Sequence, residues 1–373
     1  MKKVTFINDS YRRYFKKHKK EIMSAIEKCF AGGDFVLRDE LLRFERNLAE
    51  YLGVKYVVGV ASGTDALRIS MEALGIKSGD EVITVSHTFI APIEEIVHLG
   101  ATPILIDVGE DALMDTREIE AAITPRTKAI LPVHLSGKVC DMGAIIEIAH
   151  RHNLFIVEDA CQALGAKFRS TMAGTFGEFG CFSFISPKLL GGAGDGGGIV
   201  TNDDKLYQKV MLLRNHWNIT QNALLGLNIP QPELMGWGWN SRLDNIQAAV
   251  LNVKLKYYPE LLERRKEIAD QYKGGLRGLS IKLPTEQPEQ VWQEFIVQVP
   301  KIWELKKFLD SNGVETLVRD TTPNHKLKGL NLEHFSLPVT ERMAKECLRL
   351  PITPEMKDSE VSYVIKKIRE YYE

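Results

Sequence analysis

An α/β protein with a mostly parallel sheet is what the sequence predicts, on three observations. Short β-rich runs alternate with helical segments through the N-terminal half of the chain. Those runs lack polar alternation, as strands buried on both faces do. After about residue 250 the pattern shifts to charged helical segments, which predicts a smaller second domain of α+β type. The division expected is 1–250 and 251–373.

Each element has its own local reason. Asp39 to Leu52 places Leu41, Leu42, Phe44, Leu48, Tyr51 and Leu52 at helical spacing, and Gly53 is its stop. Tyr56 to Val60 is β-rich, and Ser62-Gly63-Thr64 then opens a helix from Asp65 to Leu74. Further strands are predicted at Glu81–Val85, Thr102–Ile106, Ala129–Val133, Phe155–Val157 and Gly198–Thr201, with helices at Ala91–Leu99 and Met142–His152 between them. Leu251 to Tyr272 reads as one long charged helix. Val291–Val299, Ile302–Leu309 and a final helix, Asp358–Tyr372, complete the second domain.

Composition narrows the function. A chain of 373 residues predicts two domains and a sizeable core. With 44% hydrophobic residues, 26% charged residues and a net charge of −1, it reads as a soluble globular protein with no nucleic-acid or anionic-membrane partner. The basic N-terminal stretch (Arg12, Arg13, Lys16, Lys17, Lys19, Lys20) has no apolar segment after it, so it reads as a solvated helix face rather than a signal peptide. No apolar stretch is long enough to span a bilayer. The five cysteines, without a CxxC pair, suggest buried reduced thiols in a cytoplasmic protein.

The chemistry begins at Lys188. It follows Pro187 and precedes the glycine run from Gly191 to Gly198, whose backbone is expected to pass near a ligand. A lysine amine can hold a carbonyl cofactor as a Schiff base. Pyridoxal phosphate also needs a carboxylate against its pyridine nitrogen. Asp159 closes the apolar run Phe155-Ile-Val157, so it is expected at a strand's carboxyl end, where α/β folds place their sites. Gln162, three residues on, can reach a ring hydroxyl. Ser62-Gly63-Thr64 sits where a helix N-terminus favours a phosphate, and Ser183 can add a hydroxyl. Phe89 can stack on the ring, although a lone aromatic more often fills a core.

With these residues in place, the sequence resembles the DegT/DnrJ/EryC1/StrS nucleotide-sugar aminotransferases. The resemblance spans nearly the whole chain, through Val60–Leu67, Ser86–Ala91, Thr124–Leu135, Glu158–Ala166, Phe182–Lys188, Gly194–Gly197, Asn240–Asp244 with Gln247–Ala249, and Leu350–Met356. It implies an aspartate-aminotransferase-like, fold-type I architecture, with a mostly parallel seven-stranded sheet flanked by helices and a smaller C-terminal α+β domain. It implies pyridoxal 5′-phosphate as cofactor, with pyridoxamine 5′-phosphate as its other form.

By the same resemblance Lys188 is the Schiff-base lysine and proton shuttle. Asp159 pairs with the pyridine nitrogen, Gln162 lies near the ring hydroxyl, and Gly63, Thr64 and Ser183 bind the phosphate under Phe89. Asn240 is expected to reach the phosphate of a neighbouring subunit, which implies a homodimer with shared active sites. His325, Arg242 and Arg319 are expected on the substrate side. L-Glutamate is the implied donor and a nucleotide-linked keto-deoxysugar the acceptor. Asn240-Ser-Arg-Leu-Asp244 resembles the subgroup acting on dTDP-linked 3-keto-6-deoxy sugars; a 4-keto sugar, or dehydration on the same fold, is the alternative. Ser136, Leu164, Leu189 and Arg38 depart from the common pattern, which leaves the catalytic set intact and bears on sugar specificity.

Overall fold

The computed structural model describes residues 4, 8–218, 236–318 and 321–373. The N-terminal helices are α1 (Asn8–Gly32) and α2 (Asp39–Leu52). Then β1 (Tyr56–Val60), α3 (Gly63–Ala73), β2 (Glu81–Val85), α4 (Ala91–His98) and β3 (Thr102–Ile106) alternate. The short α5 (Ile119–Ala122) precedes β4 (Thr127–Ile130), α6 (Met142–His152) and β5 (Phe155–Asp159). A small ribbon, β6 (Lys167–Phe168) and β7 (Thr171–Met172), leads to β8 (Phe179–Ser183), β9 (Gly197–Thr201) and α7 (Asp204–Leu213).

Seven of these strands form one sheet in the order β1-β9-β8-β5-β4-β2-β3. Only β9 runs against the rest: it is antiparallel to both β1 and β8, while the remaining pairings are parallel. Helices cover the sheet, and strands such as β2 and β9 are buried along their whole length, which is why their sequences show no alternation. Six strands therefore point their carboxyl ends to one edge, and the candidate site lies there.

Four elements differ in detail from the sequence expectation. β4 ends at Ile130, before the expected Val133; Pro132 has no N–H to donate, and its carbonyl instead accepts from Asp159 N at 2.9 Å. That same bond carries β5 on to Asp159. The segment Phe179–Ser183, whose last two residues were read only for chemistry, is a central strand. The expected single helix Leu251–Tyr272 is two, Asn245–Lys256 and Tyr258–Leu276, because Pro259 falls in the first turn of the second.

The first of these helices packs on α1 and α2, with Val250 and Val253 against Ile22. The second enters a separate core. There Ile268, Tyr272 and Leu276 pack with Phe295 of β10 (Phe295–Gln298), Leu348 and Leu350 of β11 (Cys347–Leu350), and Val361, Val364 and Ile368 of the last helix, Asp358–Tyr372. Strands β10 and β11 pair antiparallel. Among the described residues no helix is long and apolar enough to cross a membrane.

Candidate active site

A cavity of about 310 Å³ opens at the carboxyl edge of the sheet, within the size range of small-molecule sites. Four strand ends build it. β1 delivers Ser62, Gly63 and Thr64; the turn after β2 delivers Thr88 and Phe89; β5 delivers Asp159, Cys161 and Gln162; β8 delivers Ser183 and the loop carrying Lys188. Seven residues expected from the sequence thus converge: Gly63, Thr64, Phe89, Asp159, Gln162, Ser183 and Lys188.

The phosphate end is a helix N-terminus. Ser62 is the N-cap of α3 and accepts from Asp65 N at 3.0 Å. The N–H groups of Gly63 and Thr64 belong to the first turn and precede the intrahelical ladder, so they are available to an anion with the helix dipole behind them. Gly63 is required by space: a Cβ there would stand 2.7 Å from Ser183 Cβ and 2.9 Å from Cys161 Sγ.

At the other end Asp159 is buried, and its Oδ1 accepts from Cys161 N at 3.0 Å. The Cys161 thiol is pushed well up, first by burial and then by the Asp159 carboxylate, against the opposing charge of Lys188. Cys161 therefore lies in the wall of the site, where a wholly buried structural thiol was expected.

Lys188 sits on an excursion between β8 and β9. Its base is pinned by Phe184 N to Gly196 O at 2.7 Å and Ser186 N to Gly194 O at 3.1 Å. Gln293, two residues before β10, holds its middle by accepting from Leu189 N at 3.1 Å and donating to Pro187 O at 3.2 Å. The glycine run has a different role from the expected ligand approach. A Cβ at Gly191 would meet Ser186 O at 2.3 Å, and one at Gly197 would meet Ser62 O at 2.2 Å. These glycines let protein backbone pass protein backbone; from the run only Asp195 lines the cavity.

Phe89 is 60% exposed at the cavity mouth, so it is no core aromatic. Gln162 Oε1 accepts from Ser136 N at 3.0 Å, which commits the oxygen and leaves the amide nitrogen as the end able to donate to a ring oxygen. A helix N-terminus at one end, a buried carboxylate at the other, a lysine on a braced loop and an exposed aromatic are a donor set that fits pyridoxal phosphate.

The remaining expected residues lie elsewhere in the single chain. Asn240 is exposed and bridges to Asn215, outside this cavity. Arg242 donates to Asn215 Oδ1 at 2.9 Å. Arg319 lies outside the described residues. His325 is fully buried, where a substrate contact was expected. Its backbone N–H donates to Ser86 Oγ at 3.2 Å, and its Nδ1 pairs with the same hydroxyl at 2.8 Å. Nε2 is left to donate to Glu341 Oε1 at 3.1 Å. His325 and Asn324 thus brace the Ser86–Phe89 turn from behind.

Sequence reasoning passed over Glu158. Strand alternation sends it to the face opposite Asp159, where it is wholly buried. It accepts from Gly174 N at 2.7 Å, Phe176 N at 2.6 Å, Gly177 N at 2.9 Å and His134 Nε2 at 2.9 Å. His134 Nδ1 in turn accepts from Cys140 N at 3.2 Å, so Nε2 carries the proton that Glu158 accepts. This buried anion secures the end of β5 beneath Asp159. Glu294, contributed by the small domain, was also missed. The one available signal for Glu158 was a charge directly after the apolar run Phe155–Val157 and beside Asp159.

Fold and cavity together define a fold-type I aminotransferase. The chain belongs to the DegT/DnrJ/EryC1/StrS aminotransferase family, whose model matches residues 16–369. It is 40% identical over 360 residues to a dTDP-3-amino-3,4,6-trideoxy-α-D-glucose transaminase of Streptomyces venezuelae, covering 95% of this chain and 92% of that one. It is 38% identical over 359 residues to a dTDP-3-amino-3,6-dideoxy-α-D-galactopyranose transaminase of Aneurinibacillus thermoaerophilus, with 95% and 96% covered. The crystal structure of S. venezuelae DesV in complex with a ketimine intermediate superposes with a TM-score of 0.93 at 38% identity, covering 100% of this chain and 99% of that one.

Proposed function

We propose that this chain is a pyridoxal phosphate-dependent aminotransferase that moves the amino group of L-glutamate to a nucleotide-linked keto-deoxysugar, a dTDP-linked 3-keto-6-deoxyhexose. The observation that carries the reading is the convergence of Lys188, Asp159 and the Gly63–Thr64 helix start on one cavity. The names of the two relatives support amination at C-3 of a dTDP sugar.

When bound, the cofactor supplies an electron sink for a carbanion formed at the amine-bearing carbon. The protein does the rest. Gly63, Thr64 and Ser183 would hold the phosphate. The Asp159 carboxylate would keep the pyridine nitrogen protonated. Lys188 Nζ removes the α-proton of glutamate and, in the second half-reaction, returns a proton to the sugar carbon that receives the amine. Glutamate leaves as 2-oxoglutarate before the sugar binds, so the kinetics are ping-pong.

A division near residue 250 is part of the same reading; the large core still takes Leu251 and Tyr258, and the second core takes Ile268 onward from the helix that follows. A homodimer with shared sites, Asn240 serving the partner's phosphate, is part of the same reading. Its support is the surface around Asn240, where Trp237 is 94% exposed, an apolar exposure of the kind partners cover. A cytoplasmic location fits nucleotide-sugar chemistry. The test is a single-turnover assay: protein loaded with cofactor and mixed with L-glutamate alone releases about one 2-oxoglutarate per site, and Lys188→Ala releases none. Transamination retained by that variant would sink the assignment.

A further inference from the structure

The keto-sugar reading, on which this inference rests, leaves open what the enzyme senses on the sugar itself. Three carboxylates line the Lys188 cavity: Asp159, Asp195 and Glu294. Asp159 belongs to the cofactor end and Asp195 is exposed. Glu294 comes from the small domain, immediately before β10, and is 7% exposed. It also lines the two smaller clefts that adjoin the cavity.

This carboxylate is clamped. Arg349, on the neighbouring strand β11, pairs with Oε1, and the two side chains are 11% and 7% exposed. Ser136 Oγ donates to Oε2 at 3.1 Å, and Ser136 N donates to Gln162 Oε1 at 3.0 Å. A continuous polar chain therefore runs from the cofactor cradle, through Ser136, to the small-domain wall. Ser136 is also a position where the chain departs from its family's common pattern.

The chemistry of the clamp sets what it can recognise. An ionised carboxylate only accepts, and has about four lone-pair positions. Arg349 and Ser136 engage one oxygen each, so acceptor capacity remains. A sugar hydroxyl is the neutral donor that suits it, and a hydrogen bond to a charged acceptor is of the stronger kind. A sugar carboxylate offers no proton and brings a like charge. Arg349 cannot turn to that carboxylate without leaving Glu294 buried and uncompensated.

We propose that Glu294, held by Arg349 and Ser136, accepts hydrogen bonds from the ring hydroxyls of the keto-sugar and sets a preference for neutral sugars over sugars bearing a carboxylate.

The experiment uses the cofactor-loaded full chain, run toward the keto-sugar with 2-oxoglutarate. The probes are dTDP-3-amino-3,6-dideoxyhexose and a UDP-linked 3-amino uronate. Glu294→Gln removes the charge but keeps the shape; Glu294→Gln/Arg349→Gln removes the pair together, so no buried cation is stranded. Melting temperature and the cofactor's absorbance band report folding and loading in each variant. Expected is a loss of about 10–100-fold in kcat/KM for the neutral sugar, the worth of one hydrogen bond to a charged acceptor. That loss exceeds any loss in the glutamate half-reaction, and the neutral-to-uronate ratio falls by a similar factor. An unchanged ratio, or equal losses in both half-reactions, overturns the proposal. A wild-type chain that processes neither glutamate nor either sugar refutes the aminotransferase reading itself, and the proposal with it.

Discussion

Gly63→Ala tests the cradle through one methyl group. The new Cβ would lie 2.7 Å from Ser183 Cβ, 2.9 Å from Cys161 Sγ and 3.2 Å from Ser183 Cα. Two of the three are closer than real Cβ atoms come, and Ser183 is held in a central strand, so the start of α3 must yield. Overpacking of this kind costs about 1–3 kcal/mol. Alanine returns up to about 1 kcal/mol of helix propensity, which leaves the apoprotein destabilised by about 0–3 kcal/mol. The larger effect falls on the ligand. Shifting the Gly63 and Thr64 N–H groups forfeits about one hydrogen bond to a charged group, about 1.5–3 kcal/mol, so the pyridoxal phosphate Kd should rise about 10–100-fold. Gly53→Ala is the control. It sits at the C-cap of α2 with φ 71° and nothing within 4 Å of a new Cβ, so it should lower stability by about 1 kcal/mol through backbone strain and leave cofactor affinity alone. Denaturant melts give the first quantity and absorbance titration the second. Wild-type cofactor affinity in Gly63→Ala would refute the steric argument for this glycine.

Other substitutions test separate parts of the site. Asp159→Asn should lower turnover by about 10²–10³-fold in single-turnover assays with glutamate, with the fold's melting temperature little changed. Glu158→Gln places an amide nitrogen where two of its four donors need an acceptor, so unfolding in urea should show a loss of about 2–5 kcal/mol. Lys254, desolvated and donating to Gly191 O, is pulled down from 10.5 to about 8. The unfolded chain holds more of this proton between about pH 8 and 10.5, so stability rises with pH across that window. The slope from this group is at most about 1.4 kcal/mol per pH unit, and below pH 8 the full destabilisation persists. Lys254→Met should flatten that rise relative to wild type; parallel curves would rule the desolvated ammonium out as its source.

Sequence alone determined the elements whose cause is local. Strands β2 and β3 and helix α6 fall where apolar runs and periodicity put them, because burial on both faces or on one stripe writes directly into residue order. The same locality made Asp159 legible at a strand end, Ser62–Thr64 at a helix start, and Lys188 by its chemistry. Tertiary structure decided what depends on a partner distant in sequence. The glycines after Lys188 looked like a ligand turn, yet they exist to clear Ser186 and Ser62 backbone. His325 looked like a substrate contact, yet its ring is consumed by Ser86 and Glu341. Glu158 became a buried anchor only once three backbone N–H groups and His134 met it. Glu294, paired with Arg349 inside the small domain, entered the site only when that domain packed against the cavity. Periodicity records which face of an element is apolar; it carries no record of which polar groups will share a cavity, because that follows from strand order and domain docking.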